Sequence, residues 1–214
     1  IFVSAFPRVV GRMPQEFLDG ELKQVGRRLA HLHNVGARKK ALHRPSMTAE
    51  DYGWSSLDII LPVIDGGLID RYEKAAVSIL EFLEDELDES SFIRIHGDCH
   101  KGNLLHNGDE FFFVDFDDFL NGPVAQDFWM LFSGENDESE REEIRSGYEE
   151  LRHFPDEQTE LFEALRGLRI IHYAAWIIRR WSDPSFPRIF PDFNSHRYWA
   201  EETEALEKVF WEIN

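Results

Sequence analysis

At 214 residues the chain is long enough for one large domain or two small ones, and 43% hydrophobic with 14% aromatic residues supply a substantial core, which excludes a disordered chain. Its 41 acidic against 23 basic residues give a formal net charge of −18, a poor balance for coating nucleic acid or an anionic membrane. Half of that excess, twelve acidic against three basic residues, falls between Glu135 and Glu163 and reads as a solvated helical face.

The chain opens on Ile1 rather than Met, in the middle of an apolar stretch, as a trimmed piece of something longer does. "IFVSAF" (Ile1 to Phe6) reads as a short buried strand ended by Pro7. From Pro14 onward, Phe17, Leu18, Leu22, Val25, Leu29 and Leu32 keep a 3–4 spacing that predicts one face of a helix, and Gly36 makes a stop. Residues 43–68 carry Pro45, Gly53, Pro62, Gly66 and Gly67 and are expected to be loop-rich. A second helix fits Asp70 to Leu87, with Tyr72, Ala76, Ile79, Leu83 and Leu87 in register. "FIRIH" and "FFFVDF" have strand character, and "NGDE" (Asn107 to Glu110) between "NLLH" and "FFFV" signals a hairpin. After Pro123 helices are expected over about 124–133, 138–152, 158–181 and 196–213. The pattern is α+β, a mostly helical domain with a small β-hairpin embedded in it.

Cys99 is the only cysteine, so no internal disulfide forms. No signal peptide is visible and no apolar run approaches the ~18 residues of a membrane span, which makes the cytoplasm the expected compartment.

The chemistry concentrates in "HGDCHKGN" (His96 to Asn103) and in "VDFDD" (Val114 to Asp118). If "NLLH" pairs antiparallel with "FFFV", Asn103 lies near Asp115, within about two residues of register, and Asp98 sits on the loop feeding the same end. An amide oxygen and one or two carboxylates then converge at an open rim. Such a set suits a hard divalent cation such as Mg²⁺, which takes few ligands from protein and fills the rest with water and phosphate oxygens. A further aspartate held off the metal can orient a hydroxyl and accept its proton, a combination that matches phosphoryl transfer. His96, His100 and His106 raise a zinc site as the rival, but no cysteine pattern accompanies them and His106 alternates away from the rim. Cys99, with no assigned base, reads as packing rather than as a nucleophile.

"HGDCHKGNLL" followed by "VDFDD", with "GPVAQD" downstream, resembles the aminoglycoside phosphotransferase and choline kinase group of protein-kinase-like enzymes. "VGRRLAHLHNVG", "HRP" (His43 to Pro45), "NGPVAQDFWML" and "AAWIIRRWSDPSFPRIFP" resemble more narrowly the bacterial stress-response Ser/Thr protein kinases of this fold, over nearly the whole chain. The resemblance implies the mostly helical C-terminal lobe of a protein-kinase-like fold (residues 8–214) behind a hinge strand (residues 1–7). It implies Asp98 as catalytic base, Asn103 and Asp115 as Mg²⁺ ligands, and His100 at the place of a phosphate-contacting lysine. Asp127 resembles the buried aspartate that holds the catalytic loop through backbone N–H groups, with an ordinary cap after Pro123 as the plain alternative. Ser4 and Phe6 would offer hinge backbone groups to the adenine of ATP, with a core strand as the alternative. The family's smaller β-lobe has no counterpart here, so this piece alone is expected to be inactive.

The implied activity is ATP- and Mg²⁺-dependent phosphorylation of Ser/Thr on a protein substrate; the charge balance argues against nucleic-acid and membrane partners, and the sequence does not set the oligomeric state, a monomer being the default. Two rivals stay open. A small-molecule kinase for an aminoglycoside or amino alcohol agrees with the acidic balance, since cationic substrates favour acidic sites. A non-catalytic kinase-like binding module agrees with the missing lobe, but it has no need of Asp98, Asn103 and Asp115 together. In "AAWIIRRWSDPSFPRIFPDF", Trp176 and Ile177 read as helix core, while Arg179 and Arg180 suit a phosphorylated or acidic substrate segment.

Overall fold

The computed structural model describes residues 8–131 and 138–214. Among them the elements run α1 (Glu21–Gly36), α2 (Ser55–Ile60), α3 (Ile69–Glu86), β1 (Ile93–Ile95), β2 (Leu104–His106), β3 (Phe111–Phe113), β4 (Leu120–Gly122), α4 (Val124–Trp129), α5 (Glu138–Glu149), α6 (Leu161–Arg180), α7 (Phe186–Ile189) and α8 (His196–Ile213). The chain divides into two compact units, Ile1–Arg44 with Phe92–Asp156 and Pro45–Ser91 with Glu157–Asn214. The expected strand over residues 1–7, and with it Ser4 and Phe6, lies outside the described residues. No helix among the described residues is long and apolar enough to cross a membrane.

In the first unit α1 starts seven residues later than the apolar spacing predicts. Gly20 has φ 80°, a left-handed turn that a helix does not pass through, and the Glu21 carboxylate reaches back to accept the Leu18 N–H at 2.8 Å. From there Leu22, Val25, Leu29 and Ala30 are buried, the Val and Leu side chains contributing roughly 1.5–3 kcal/mol each. α1 packs on α5 backbone to backbone. A Cβ on Gly26 would sit 2.0 Å from the Ile144 carbonyl oxygen, and one on Gly147 would sit 1.9 Å from that of Lys23. Only glycine allows so close an approach at either place. Phe128, Tyr148 and Phe154 close the same core, their ring centroids 4.6–6.1 Å apart.

The hairpin forms as its turn residues predict. β2 and β3 are antiparallel with Leu104 opposite Phe113 and His106 opposite Phe111, and Asn107 Oδ1 accepts the N–H groups of Asp109 and Glu110, each at 2.9 Å. β1 pairs antiparallel with β4, Ile95 opposite Leu120. That partner strand, "LNG", has no apolar alternation to announce it.

The second unit holds α2, α3, α6, α7 and α8, with Tyr72, Ile79, Leu83, Leu168, Ile171, Trp199, Leu206 and Val209 buried. The segment 43–68, expected to be loop-rich, is turns and irregular chain at both ends but helical over 49–60. Thr48 Oγ1 accepts the Asp51 N–H at 3.0 Å and starts a π-helical turn, Ala49–Trp54, that runs directly into α2. Pro45 and Pro62 bracket this segment instead of breaking it. α3, α6 and α8 fall within three residues of the predicted spans, and Ser195 Oγ caps α8 by accepting the Tyr198 N–H at 3.1 Å.

Candidate active site

The site begins where β1 ends. The N–H groups of His96 and Gly97 donate to the two oxygens of Asp127, at 2.7 and 2.8 Å. Asp127 is fully buried in α4 and caps nothing, because Pro123 starts that helix without a side-chain bond. It is a loop-holding carboxylate. His33 of α1 approaches the same carboxylate, Nε2 to Oδ2 3.0 Å, and its Nδ1 lies 2.9 Å from the Tyr148 hydroxyl of α5. Tyr148, His33 and Asp127 are each 0% exposed, so a closed polar relay runs through the unit's core to the loop. Burial pushes the Tyr148 phenol upward, and it stays neutral. Gly97 has φ +86°, and a Cβ there would lie 2.6 Å from the Asp118 carbonyl oxygen, so the second residue of the motif admits only glycine.

The His96 ring joins the two halves of the site. Its Nδ1 accepts the Asp98 N–H at 3.3 Å, which leaves Nε2 to donate to the Val114 carbonyl at 2.9 Å. The loop before Asp98 is thereby fastened to the residue before Asp115, and the ring rests against Phe116, centroids 4.6 Å apart.

Asp98 is held from two sides. Asn103 Nδ2 donates to the Asp98 carbonyl at 3.0 Å and to its Oδ2 at 3.2 Å. His100 Nδ1 accepts the Gly102 N–H at 2.9 Å, so the ring proton sits on Nε2, 3.3 Å from Asp98 Oδ2. His100 therefore points at the carboxylate and not away from the loop. The Asp98 side chain remains 24% exposed.

The Val114 N–H donates to the Asn103 carbonyl at 2.9 Å, which extends the hairpin ladder one step beyond its last paired residues. Asp115 follows immediately, exposed and at φ 63°, ψ 66°, a left-handed conformation rare outside glycine and characteristic of functional positions. The residues after it are pinned by Arg44, whose Nε donates to the Phe119 carbonyl at 2.6 Å and whose Nη2 donates to the Asp117 carbonyl. Its guanidinium lies 4.5 Å from the centroid of the Phe119 ring. Asn121 repeats the clamp, accepting the Ala41 N–H at 2.8 Å and donating to the Ala41 carbonyl at 3.0 Å. The roles of His33 and Arg44 do not follow from local pattern, their signals being only the "VGRRLAHLHNVG" and "HRP" fragments, and "HGDCHKGN" marks His96 without showing its bridge to Val114.

The three histidines do not converge on one point. His96 and His100 use both ring nitrogens as described, and His106 stacks on Phe111 at 4.2 Å with Glu21 as its ion partner. Among the described residues no group of three or more His, Cys, Asp or Glu side chains is arranged to hold a metal. The donors on offer are the Asn103 amide oxygen and the Asp115 carboxylate, a hard, all-oxygen set. Cys99 is buried, and burial first, then the Asp127 and Asp98 carboxylates, push its thiol well upward, so no thiolate is available.

The model of a phosphotransferase enzyme family matches residues 6–168. Stress response kinase A of Escherichia coli K12 is 35% identical over 210 residues, which is 96% of this chain and 64% of that protein. The serine/threonine protein kinase RdoA of Salmonella typhimurium is 36% identical over 208 residues, 95% of this chain and 63% of that one. The chain thus spans about 64% of the length of the curated relatives it matches. Among solved structures, spectinomycin phosphotransferase APH(9)-Ia, in complex with ADP and spectinomycin, superposes with a TM-score of 0.61 at 15% identity, covering 95% of this chain and 69% of that one. Amicoumacin kinase hAmiN, in complex with AMP-PNP and Ca²⁺, superposes with a TM-score of 0.63 at 15% identity, covering 97% and 67%. These likenesses establish the kinase-like fold, mostly helical with small sheets.

Proposed function

The chain belongs to the phosphotransferase enzyme family, and from that premise we propose that it is the catalytic lobe of a protein kinase that transfers the γ-phosphoryl group of ATP to Ser/Thr hydroxyls of a polypeptide. The observation that carries this reading is the hydrogen-bonded loop that presents Asp98 between Asn103 and His100 while the hairpin ladder ends at Asp115.

Asp98 accepts the proton of the attacking hydroxyl and orients its oxygen; the N–H donors of Asn103 and His100 hold the carboxylate in one rotamer for that task. The Asn103 amide nitrogen is engaged by Asp98, which leaves its Oδ1 as the atom offered to a cation. That oxygen and the Asp115 carboxylate fit a Mg²⁺ ion, which when bound neutralises the phosphate charge. His100, 40% exposed, stands where the resemblance implies a phosphate-contacting lysine, and with Nδ1 on Gly102 and Nε2 on Asp98 it would have to leave Asp98 to meet the transferred phosphate. The relay from Tyr148 through His33 to Asp127, and the His96 bridge, keep these groups in place without touching substrate. The lone buried cysteine suits a reducing compartment, the cytoplasm.

Relatives at 35–36% identity named as kinases, one of them as a serine/threonine protein kinase, support the protein substrate. A second reading, phosphorylation of a small molecule, is favoured by the ligands in the neighbouring structures, at 15% identity. Radiolabelled ATP offered with a generic basic protein on one side and choline, homoserine and kanamycin on the other separates the two. Label is expected on Ser/Thr of the protein alone; label only in a small molecule refutes the protein-kinase reading and leaves the catalytic residues standing.

A further inference from the structure

The loop from His96 to Asn103 is secured differently at its two ends. The start is pinned from α4: the His96 and Gly97 N–H groups donate to Asp127, and the Gly97 carbonyl accepts Gln126 Nε2 at 3.3 Å. The end, a 3₁₀ turn over Lys101–Asn103, is closed by bonds internal to the loop and its hairpin. The Gly102 N–H donates to His100 Nδ1, the Asn103 N–H to the His100 carbonyl at 2.9 Å, and the Val114 N–H to the Asn103 carbonyl. Gly102 keeps the turn tight, since a Cβ there would lie 2.6 Å from the His100 ring. None of these bonds ties the turn to a helix, although the turn carries Asn103.

The Lys101 side chain makes such a tie. It runs from the turn to the start of α5, where its ammonium lies 3.5 Å from Glu140 Oε2, and it passes the Phe17 ring, 5.1 Å from ammonium to centroid. Phe17 is backed in turn by Phe111 of β3, their centroids 6.0 Å apart. A solvated lysine on a polar loop is the plain alternative, but the two charged side chains are only 26% and 19% exposed, and an ammonium between a carboxylate and a ring face has a set place. Glu140 also separates Lys101 from a phosphate-binding role, because the carboxylate already meets its charge. Along α5, Glu140 lies eight residues before Tyr148, ~12 Å of helix. One helix therefore reaches the loop twice, through Tyr148, His33 and Asp127 to its start and through Glu140 and Lys101 to its end.

We propose that Lys101 and Glu140 are positioning residues that set the turn bearing Asn103, and with it the cation site shared with Asp115, against α5. The proposal rests on the reading of the chain as a phosphotransferase and adds two residues to the support of its site. Neither touches substrate. They act on the half of the loop that Asp127 does not reach.

Hydrogen exchange followed amide by amide by NMR, with neither ATP nor cation present, tests it. In Lys101→Met, and likewise in Glu140→Gln, the Asn103 and Val114 amides are expected to exchange about three- to tenfold faster, while those of His96 and Gly97, bonded to Asp127, keep their rates. The charge swap, Lys101→Glu with Glu140→Lys, is expected to restore most of the protection, which a mere loss of packing at either position would not allow. In ATP turnover, both single variants should raise the Mg²⁺ concentration for half-maximal rate by about as much, and the swap should lower it again. Unchanged exchange at Asn103 and Val114, an increase spread evenly over all four amides, a swap no better protected than the single variants, or parental Mg²⁺ dependence in both single variants overturns the proposal. Exchange is measured without transfer, so such a result leaves the roles of Asp98 and Asp115 untouched, and those fail separately if Asp115→Ala retains ATP turnover.

Discussion

Replacing Asp127 by asparagine keeps the shape of the side chain and removes one acceptor from a buried knot. The carboxylate receives the N–H groups of His96 and Gly97 at 2.7 and 2.8 Å and faces His33 Nε2 at 3.0 Å, with no solvent to compensate a loss. An amide brings one oxygen, so whichever way it turns, its NH₂ confronts a backbone N–H that had been bonded. Leaving one buried donor unsatisfied costs ~1–3 kcal/mol, and exchanging charge-assisted bonds for neutral ones removes about 1 kcal/mol more. The sum, roughly 2–4 kcal/mol, corresponds to a fall in melting temperature of about 4–16 °C for a chain of this size. Turnover should fall with it, since the released N–H group, His96 or Gly97, belongs to a residue immediately before Asp98. Thermal melts followed by far-ultraviolet circular dichroism, beside an ATP turnover assay, give both readouts. A midpoint within about 2 °C of the parent, with turnover unchanged, would refute the view that Asp127 holds this loop.

Asp115→Ala should abolish ATP turnover, because it removes the charged oxygen of the cation site; retention of more than about a tenth sinks that assignment, and Asn103→Ala should be milder. Asp98→Asn should lower turnover by ~10²-fold or more while calorimetry finds nucleotide affinity within a few-fold, whereas a large loss of affinity would move Asp98 among the cation ligands. Glu202 is pushed up to about 7, by burial first and then by Glu201, so folding favours its protonated form; its penalty is absent below the ordinary carboxyl range near 4.5 and grows as pH rises toward 7. Glu202→Gln should therefore raise the melting temperature at pH ~8 and leave it unchanged at pH ~4, and an equal shift at both values contradicts the burial argument.

Local chemistry made the hairpin legible: "NGDE" set the turn, and the ladder brought Asn103 opposite Val114, one residue from Asp115. The long helices were legible from apolar spacing. What escaped was decided by distant partners. α1 begins where Gly20 turns and not where the apolar spacing starts; the helix through Ala49–Ile60 lies between prolines that look like loop markers; β4 is strand only because β1 lies beside it. The same holds at the site. Asp98, Asn103 and Asp115 are close in sequence and could be read together, but His33 meets Asp127 from 94 residues away and Arg44 meets Phe119 from 75, and no periodicity encodes either meeting.

The glycine contact between α1 and α5 acts as a gauge. Where two helices touch through side chains, the chains can yield by changing rotamer, but here carbonyl faces bare backbone and nothing yields. Sliding one helix past the other by a single residue would displace Tyr148 from His33 by about 1.5 Å and open their 2.9 Å bond. The setting of the loop before Asp98 is therefore measured off a helix pair that meets through backbone, at the carbonyls of Lys23 and Ile144.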